Sequence, residues 1–285
     1  MLLTPFVLIF PDVPVYHGDI AKLTGTECMK LAEIKRRQLD VLDGSPPCQG
    51  FSTAGKRKWD DPRNSLFKEY ARLLNELQPK VFVMENVTGM VKGCMKQAYL
   101  TIIKTLRECG YKAKGEVLNA MYFNVPQSRQ RVIIIGVRND LKIEPSHPKP
   151  QGKPKNITTA IIGADTSGVP KFNDKYAMLY DQVPKGGNAQ SVIGKGFNNC
   201  VRPHPSKPSP TLPKTQTGRG FATIAHPTEK RALSIGEAKR IGSFPDDFIF
   251  IGNYSMQWER IGNSVPPNLM KAIAEHIRNK ILKQL

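Results

Sequence analysis

The sequence predicts an α/β domain with a largely parallel sheet, joined to a smaller domain with little regular structure. Short β-rich runs alternate with amphipathic segments through the first half of the 285 residues. The composition changes after Arg138. Residues 139–230 contain 12 of the 23 prolines and 9 glycines, and they show little helical periodicity. A linker or a disordered segment could have this composition. We favour a small irregular domain, because apolar residues that can form a modest core recur through it, namely Phe172, Tyr176, Tyr180, Val192, Ile193 and Phe197.

The α/β part is predicted from five segments in the first 140 residues. The strand candidates are Leu39 to Asp43, Val81 to Met84 and Val132 to Val137, and the helix candidates are Asn64 to Leu77 and Gln97 to Cys109. Gly110 follows the second helix, where glycine commonly ends one. Cys48 and Glu85 both come after the carboxyl ends of predicted strands. Open α/β sheets place their ligands at those ends.

Helical signals return near the C-terminus. Ser234-Ile235-Gly236-Glu237 has the spacing of a capping box and predicts a helix that runs toward Ser243. A last helix is predicted from Pro267 to Leu282, because proline is favoured in the first turn and one face is apolar at helical spacing, through Leu269, Ile273, Ile277 and Ile281. This apolar face is explained by packing alone.

The net charge and the cysteine content indicate which partners and which structural sites the protein can have. The chain has 42 Lys and Arg residues against 24 Asp and Glu, a formal net charge of +18, which favours a polyanionic partner such as nucleic acid. No run approaches the roughly 18 apolar residues of a membrane span. The five cysteines are scattered without a C-x-x-C pair, so neither a zinc site nor a disulfide framework is indicated. We expect a cytoplasmic, soluble protein without a metal.

One cysteine lies in an unusual loop. Cys48 follows two prolines that fix the backbone, and Gly44 and Gly50 bound the segment Gly44-Ser45-Pro46-Pro47-Cys48-Gln49-Gly50. A free cysteine is more often a buried structural residue. The polar, turn-forming flanks favour a thiol presented for nucleophilic attack instead.

Five motifs in order identify a family resemblance. They are Gly44 to Ser52, Glu85-Asn86-Val87, Gln127-Ser128-Arg129-Gln130-Arg131, Arg231 to Phe248, and Gly262-Asn263-Ser264-Val265. Through them the chain resembles the DNA (cytosine-5) methyltransferases of prokaryotic restriction–modification systems over nearly its whole length. The resemblance implies a Rossmann-like sheet that binds S-adenosylmethionine, with double-stranded DNA as the partner. It also implies a discontinuous catalytic domain, 1–140 plus 254–285, and a target-recognition domain, 141–253.

The resemblance implies a catalytic group of four residues. Cytosine C5 becomes nucleophilic once a thiolate adds at C6, and Cys48 matches the family's nucleophile. Glu85 matches the donor that contacts the Watson–Crick edge of the base near N3. Arg131 is the expected contact to the base O2. Arg129, which lies on the same side if the stretch is extended, is expected to support the active-site loop or a phosphate. Without the resemblance, Glu85 would be interpreted as a solvated carboxylate, and Arg129 and Arg131 as ordinary arginines at a sheet edge.

The cofactor residues also come from the resemblance, and basic residues are added as candidates for DNA contact. Asp19 and Ile20 are assigned to the adenine region of the cofactor, Pro47 and Leu66 to the donor pocket, and Asn263 and Val265 to its far wall. Lys56-Arg57-Lys58 are assigned to DNA phosphates that flank a flipped base, although a solvated charge run would look the same. Arg240 is expected to contact a phosphate or to organise the small domain. Thr211-Leu212 resemble the Thr-plus-aliphatic pair of the family's recognition regions.

The chain departs from the family at its start. The expected Phe-x-Gly-x-Gly element and the acidic residue that ends the second strand are missing, since only 17 residues precede Gly18 and none is glycine. We therefore expect an N-terminally incomplete sheet. The three explanations are a misassigned start or truncation, a second polypeptide that supplies the missing piece, and a decayed copy.

Two other functions are left open. The chain could be a DNA-binding remnant without activity. An RNA cytosine methyltransferase would use the same chemistry, but the Cys-Phe-Thr element of those relatives is not found. A cognate restriction endonuclease is a further expected partner.

Overall fold

The computed structural model describes residues 10–47, 65–194, 200–216 and 221–285. The chain divides into two compact units. The first unit contains Met1–Leu118, Gln130–Pro148 and Ile273–Leu285, and the second contains Asn119–Arg129 and Lys149–Ala272. The predicted domains, 1–140 with 254–285 and 141–253, have other boundaries than these units. Their functional assignment stays a prediction.

A four-stranded sheet forms the centre of the first unit. Numbered in chain order, the strands of the described residues are β1 (Val41–Gly44), β2 (Val81–Val87), β3 (Tyr111–Asn119), β4 (Gln127–Ser128), β5 (Gln130–Arg138) and β6 (Ser209–Pro210). The sheet order is β1-β2-β5-β3. Strand β1 pairs with β2 in parallel, whereas β2 and β5 are antiparallel.

The prediction of a largely parallel sheet is therefore wrong for the β2–β5 pair. Residues 132–135 of β5 are all at most 1% exposed, so the strand is covered on both faces. Such a strand shows the continuous apolar run that is typical of parallel sheets, and its direction is invisible in the sequence.

Three helices of the first unit are α1 (Gly25–Leu31), α2 (Ser65–Leu77) and α3 (Lys96–Glu108). The buried core of this unit combines residues of α2, α3 and the sheet, including Phe67, Leu74, Phe82, Met84, Ile102, Leu106, Tyr111 and Ile134. Gly136 lies opposite Phe82 in the sheet. A Cβ atom at Gly136 would lie 1.9 Å from the Phe82 ring, so a larger residue there would displace this core aromatic.

The second unit contains the helices α4 (Ile157–Ile161), α5 (Asp174–Gln182), α6 (Gln190–Ile193), α7 (Ile235–Ile241) and α8 (Tyr254–Asn263). One core surrounds Trp258, and another joins Phe172, Tyr176, Tyr180 and Val192 to Phe221. This confirms the predicted core for four of its six residues. Ile193 is 45% exposed, and Phe197 lies outside the described residues. Three short helices in 139–230 were not predicted, because asparagine caps at 156 and 173 start two of them within a proline-rich sequence.

Most predicted elements agree with the structure within a few residues. The capping box at Ser234 and Glu237 is confirmed, although α7 ends at Ile241 rather than at Ser243. The last helix, α9 (Pro267–Lys280), buries the predicted apolar face. Short 3-10 turns complete the description at Thr88–Val91, Gly93–Met95, Ala120–Tyr122, Asn139–Leu141 and Leu282–Gln284. No helix of the described ranges has the length and apolar character needed to cross a membrane.

Candidate active site

Glu85 and Arg131 meet across the sheet of the first unit. The antiparallel register places Glu85 opposite Ile133 and Val87 opposite Arg131, so the two side chains belong to neighbouring strands. The Arg131 Nε atom lies 2.7 Å from the Glu85 Oε1 atom, and both side chains are mostly buried, at 14% and 13% exposed. Arg131 also donates a hydrogen bond through Nη1 to the carbonyl of Gln130, at 2.8 Å. The structure thus brings together two of the four predicted catalytic residues.

Asn86 ties the end of β2 to the segment that leads to Cys48. Its Nδ2 atom donates a hydrogen bond to the Pro46 carbonyl at 3.0 Å, while its Oδ1 atom accepts one from the Val87 amide at 2.9 Å. Asn86 is 7% exposed, so this contact is shielded from water. Cys48 itself lies outside the described residues, but the backbone two residues before it is fixed next to Glu85.

Strand β1 packs closely against α2 at the same end of the sheet. The Tyr70 hydroxyl donates to the carbonyls of Val83, at 3.0 Å, and Leu42, at 3.4 Å, and so links β2 to β1. A Cβ atom at Gly44 would lie 2.6 Å from the Tyr70 ring, so glycine is needed here for close approach. Gly44 does not have a left-handed backbone, so close approach rather than a positive φ angle explains the glycine. Burial raises the pKa of the Asp43 carboxyl, and the charge of Glu85 raises it further.

Arg129 belongs to the second unit and has a different environment from Arg131. It is 3% exposed, and its Nη1 and Nη2 atoms donate to the carbonyls of Leu212, at 3.1 Å, and Gly262, at 2.9 Å. The two arginines were expected on one side of an extended stretch. That expectation fails because the Arg129 amide donates to the Gln127 carbonyl, at 3.0 Å, in a tight turn between β4 and β5.

Gln127 fixes the predicted recognition pair. Its Oε1 atom accepts a hydrogen bond from the Leu212 amide at 3.0 Å, and β4 pairs with β6 one residue before Thr211. The Thr211 hydroxyl donates to the Ser128 carbonyl at 2.9 Å. The Leu212 side chain is 1% exposed and packs in the Trp258 core. We therefore assign the Leu212 side chain to the core rather than to DNA contact, because reaching DNA would require that core to open.

The residues predicted for the adenine region lie on an exposed loop of the first unit. The Asp19 carboxylate accepts from the Ala21 amide at 3.0 Å, which closes a turn. Arg72 of α2 holds the loop by donating to the carbonyls of Ile20, at 3.0 Å, and Leu23, at 2.8 Å. Ile20 and Leu66 remain 36% and 41% exposed, and Pro47 is exposed as well. The loop therefore offers apolar surface and one carboxylate for a ligand.

The other two cofactor candidates lie in the second unit, Asn263 as the last residue of α8 and Val265 two residues beyond it. Asn263 is exposed and Val265 is half-buried. The preceding residue, Gly262, lies so close to the 212–214 segment that a Cβ atom there would be 2.2 Å from the Pro213 carbonyl oxygen. The same carbonyl accepts from Trp258 Nε1 at 2.9 Å. The position of Asn263 thus depends on glycine at 262.

Arg240 organises the second unit. Its Nη2 atom lies 2.7 Å from Asp246 Oδ2 and donates to the Gly163 carbonyl at 3.1 Å, and Nη1 donates to the Ile162 carbonyl. Of its two predicted roles, the structure supports the organising one. Lys56, Arg57 and Lys58 lie outside the described residues.

A buried ionic cluster supports the start of α7. Arg231 forms two hydrogen bonds to Glu237, at 2.7 and 2.8 Å, and Ser234 donates its amide to the same carboxylate at 2.7 Å. His226 Nε2 lies 3.4 Å from it. Burial alone would raise the pKa of Glu237, but hydrogen bonds from Arg231, His226 and Ser234 outweigh burial and lower it to about 2. Glu237 is thus a carboxylate at neutral pH.

Sequence reasoning missed three positioning residues, Asn86, Gln127 and Arg72. Asn86 and Gln127 stand within recognised motifs, but their roles depend on partners that are distant in sequence. Arg72 has no motif signal beyond its place on an amphipathic helix. Within the described residues, no group of three His, Cys, Asp or Glu side chains could hold a metal ion.

Solved structures of other proteins share this fold. The fold matches the DNMT2 structure from Spodoptera frugiperda with a TM-score of 0.68, at 21% identity, covering 96% of this chain and 87% of that one. It also matches the methyltransferase EhMeth of Entamoeba histolytica with a TM-score of 0.67, at 18% identity, over 97% and 86% of the two chains. The chain therefore has the same fold as these two methyltransferases.

The sequence comparisons identify the family. Residues 6–279 match the family model of the C-5 cytosine-specific DNA methylases, and the chain belongs to this family. It is 36% identical to the type II methyltransferase M1.HphI of Haemophilus parahaemolyticus over 94% of this chain and 75% of the relative. It is 33% identical to M.Eco47II of Escherichia coli, over 96% and 71%. The chain is thus a DNA cytosine-C5 methyltransferase, as its sequence motifs predicted.

Proposed function

We propose that the chain methylates C5 of a flipped cytosine in duplex DNA through a covalent bond between Cys48 and C6. The observation that carries this proposal is the Glu85–Arg131 pair, held 2.7 Å apart beside the Asn86–Pro46 hydrogen bond. The motif residue Cys48 follows Pro46 by two positions. A carboxyl group and a guanidinium are therefore held together on adjacent strands, and the motif places the proposed nucleophile two residues after Pro46.

The covalent step begins with the Cys48 thiolate. Its sulfur donates an electron pair to C6, an S–C6 bond forms, and the C5–C6 π electrons are released toward C5 and the N3 side of the ring. S-adenosylmethionine, when bound, supplies the methyl group as a sulfonium. After C5 has gained the methyl group, a base removes the C5 proton. The electrons of the C5–H bond then restore the double bond as the S–C6 bond breaks and the thiolate leaves.

Glu85 and Arg131 act on the ring. Glu85 holds a proton or a hydrogen bond at the N3 edge, where negative charge develops as sulfur adds. Arg131 has a remaining Nη2 group whose donors can reach a carbonyl such as the base O2. Its ion pair with Glu85 keeps both side chains oriented before the base arrives, which lowers the entropic cost of reaching the reactive geometry.

Residues of the first unit suit the proposed cofactor. The exposed apolar side chains of Ile20 and Leu66, beside the Asp19 carboxylate, suit an adenine and a ribose hydroxyl, and Pro47 would border the sulfonium. The family resemblance also assigns Asn263 and Val265 to donor binding. The fit rests on apolar groups that the described structure leaves exposed, Ile20 and Leu66 at 36% and 41%.

DNA recognition is assigned to the smaller domain, 141–253. Thr211 remains an exposed recognition candidate at the start of the segment fixed by Gln127. Lys56, Arg57 and Lys58, in the segment beyond Cys48, would contact phosphates next to the flipped nucleotide. Extruding that nucleotide costs a few kcal/mol, which such contacts offset.

A trapping experiment tests the covalent step. Duplex DNA with 5-fluorocytosine lacks the C5 proton, so a Cys48–C6 adduct formed with donor present cannot resolve. We expect a protein–DNA complex that survives denaturant, and after trypsin digestion the modified nucleotide should be attached to the peptide that contains Cys48. Methyl transfer to unmodified DNA without any trapped adduct would overturn the mechanism.

A donor-label assay separates the enzyme from its alternatives. The purified chain is incubated with DNA and a donor that carries a labelled methyl group. Label found in the DNA would exclude the hypothesis that the chain is a DNA-binding remnant without activity. Label in tRNA but not in DNA would favour RNA methylation.

A cognate endonuclease is proposed from the type II names of the relatives. A second polypeptide is proposed beside β1, which pairs only with β2 among the described strands. Tight binding of the donor by the chain alone would contradict the proposal that a second polypeptide is needed.

A further inference from the structure

Two stretches that lie largely in the second unit lack acidic residues. Between Glu144 and Asp165 there is no Asp or Glu, and there is none between Asp181 and Glu229 either. Both stretches contain exposed lysines, at positions 149, 153, 155 and 207. In a chain with 24 acidic residues, two such gaps leave these lysines without nearby partners in sequence.

The structure joins the two stretches. The Ile157 amide donates to the Lys207 carbonyl at 2.9 Å, and the Thr158 hydroxyl donates to the Pro205 carbonyl at 2.9 Å. The backbone of Lys207 therefore lies beside the residues that follow Lys155. The lysines at 149, 153, 155 and 207 together are called the lysine strip.

The strip has a fixed backbone. The amides of Gln151 and Gly152 both donate to the Tyr122 carbonyl, at 2.9 and 3.2 Å. Pro154 restricts Lys153 to an extended conformation. At about 3.1 Å per residue of extended proline-rich chain, Lys153 and Lys155 are about 6 Å apart along the backbone. That distance is close to the rise of two nucleotides, about 7 Å at 3.4 Å each.

Within the described residues, the lysines of the strip form no ion pairs with carboxylates. Lys214 pairs with Glu259 and Lys230 pairs with Asp181, but no carboxylate in the described part of the chain forms an ion pair with a strip lysine. Four uncompensated ammonium groups on a fixed, exposed backbone create a local positive potential. Such a surface attracts a polyanion and releases its counterions on contact.

We propose that the lysine strip binds the phosphate backbone of duplex DNA outside the recognised bases. The inference rests on the DNA substrate of the proposed function, but not on the covalent step. The contact carries no sequence information, because it reaches phosphates only. Its role is to hold the flanking duplex in register on the second unit.

The test compares two triple variants with equal charge change. The strip variant is Lys153→Gln, Lys155→Gln and Lys207→Gln, and the control variant is Lys271→Gln, Lys280→Gln and Lys283→Gln at exposed positions near the C-terminus. Binding to a duplex of about 30 base pairs is measured between about 50 and 200 mM salt. We expect the slope of log K against log salt to become shallower by about one for each lost phosphate contact, up to about three, in the strip variant only.

Three outcomes would overturn the proposal. One is an unchanged slope in the strip variant, another is an equal change in both variants, and the third is weakened binding of tRNA with duplex binding intact. Adduct formation with 5-fluorocytosine DNA at low salt and saturating DNA serves as the folding control, and the strip variant should match the wild type. Absence of the adduct in the wild type, with donor and any complementing polypeptide present, would refute the covalent proposal, and the salt slopes would still test the lysine strip.

Discussion

The Nε atom of Arg131 lies 2.7 Å from the Oε1 atom of Glu85 in a mostly buried pair. The contact exists because β2 and β5 run antiparallel, with Val87 opposite Arg131. Each side chain is therefore oriented by the other and by its own strand. The pair is the structural centre of the proposed chemistry, and its substitution gives the first prediction.

Glu85→Gln should lower the rate of methyl transfer by about 10²–10⁴-fold, the usual range for loss of a general acid–base group. Duplex binding should change little, because the amide retains the shape of the carboxyl. Single-turnover label transfer measures the effect. The control is Lys80→Gln, which removes an exposed ion pair with Asp40 at the start of the same strand and should retain full activity. If both variants lost the same fraction of the methyl-transfer rate, the effect of Glu85→Gln would be explained by a disturbed fold rather than by a lost catalytic group.

Cys48→Ser should abolish methyl transfer and adduct formation, because a serine hydroxyl is far less acidic and less nucleophilic than a thiol. Salt-dependent DNA binding should persist, since it depends on lysine and arginine contacts. Gel-shift titration and label transfer on the same preparation check both parts. Turnover near the wild-type rate would refute the nucleophile assignment.

Asn86→Asp should slow adduct formation by about tenfold. The carboxylate keeps the acceptor for the Val87 amide but loses the donor to the Pro46 carbonyl, and one hydrogen bond contributes about 1 kcal/mol. The rate of trapping with 5-fluorocytosine DNA is the measurement. Asn268→Asp is the matched control, because it removes a similar amide-to-carbonyl bond to Asn124 in the second unit. An equal slowing in the control variant would count against a positioning role for Asn86.

Gly262→Ala should weaken donor binding and lower the melting temperature. An added Cβ would lie 2.2 Å from the Pro213 carbonyl oxygen, so the backbone before Asn263 must shift. Calorimetry with the donor and thermal unfolding provide the two readouts. Gly152→Ala is the control, since the nearest atom to its added Cβ is 3.8 Å away. Donor affinity at the wild-type level would refute the cofactor role of this segment.

Glu237→Gln should destabilise the second unit by about 3–5 kcal/mol, because it leaves the buried Arg231 partly unpaired. The pH dependence follows from the lowered pKa of Glu237. An acid whose pKa is lower when folded contributes stability above its unfolded value of 4.5, and this contribution is lost as the pH falls toward 2. The loss amounts to about 3 kcal/mol.

Denaturant unfolding of the wild type between pH 6 and pH 3 should therefore show a steeper decline than unfolding of Glu237→Gln. Glu259→Gln, which affects an ion pair with both side chains about half exposed, should retain the wild-type pH dependence. Parallel pH curves for wild type and Glu237→Gln would contradict the low pKa.

Local signals in the sequence were sufficient for the α/β class, the capping box at Ser234 and Glu237, the apolar face of α9 and the motifs that define the family. Each depends on residues only a few positions apart, where periodicity and turn chemistry are strong. Helices α4 to α6 escaped prediction because they are short, and the asparagine caps of α4 and α5 lie in a proline-rich part of the sequence.

The sequence by itself determined which chemical groups the chain has and the order in which they occur. Only the tertiary structure decided which of them meet. Arg129 and Arg131 are two positions apart, yet Arg131 pairs with Glu85 while Arg129 is buried against the carbonyls of Leu212 and Gly262. The physical reason is that these contacts depend on strand direction and on carbonyls far along the chain, and neither leaves a periodic pattern in the sequence.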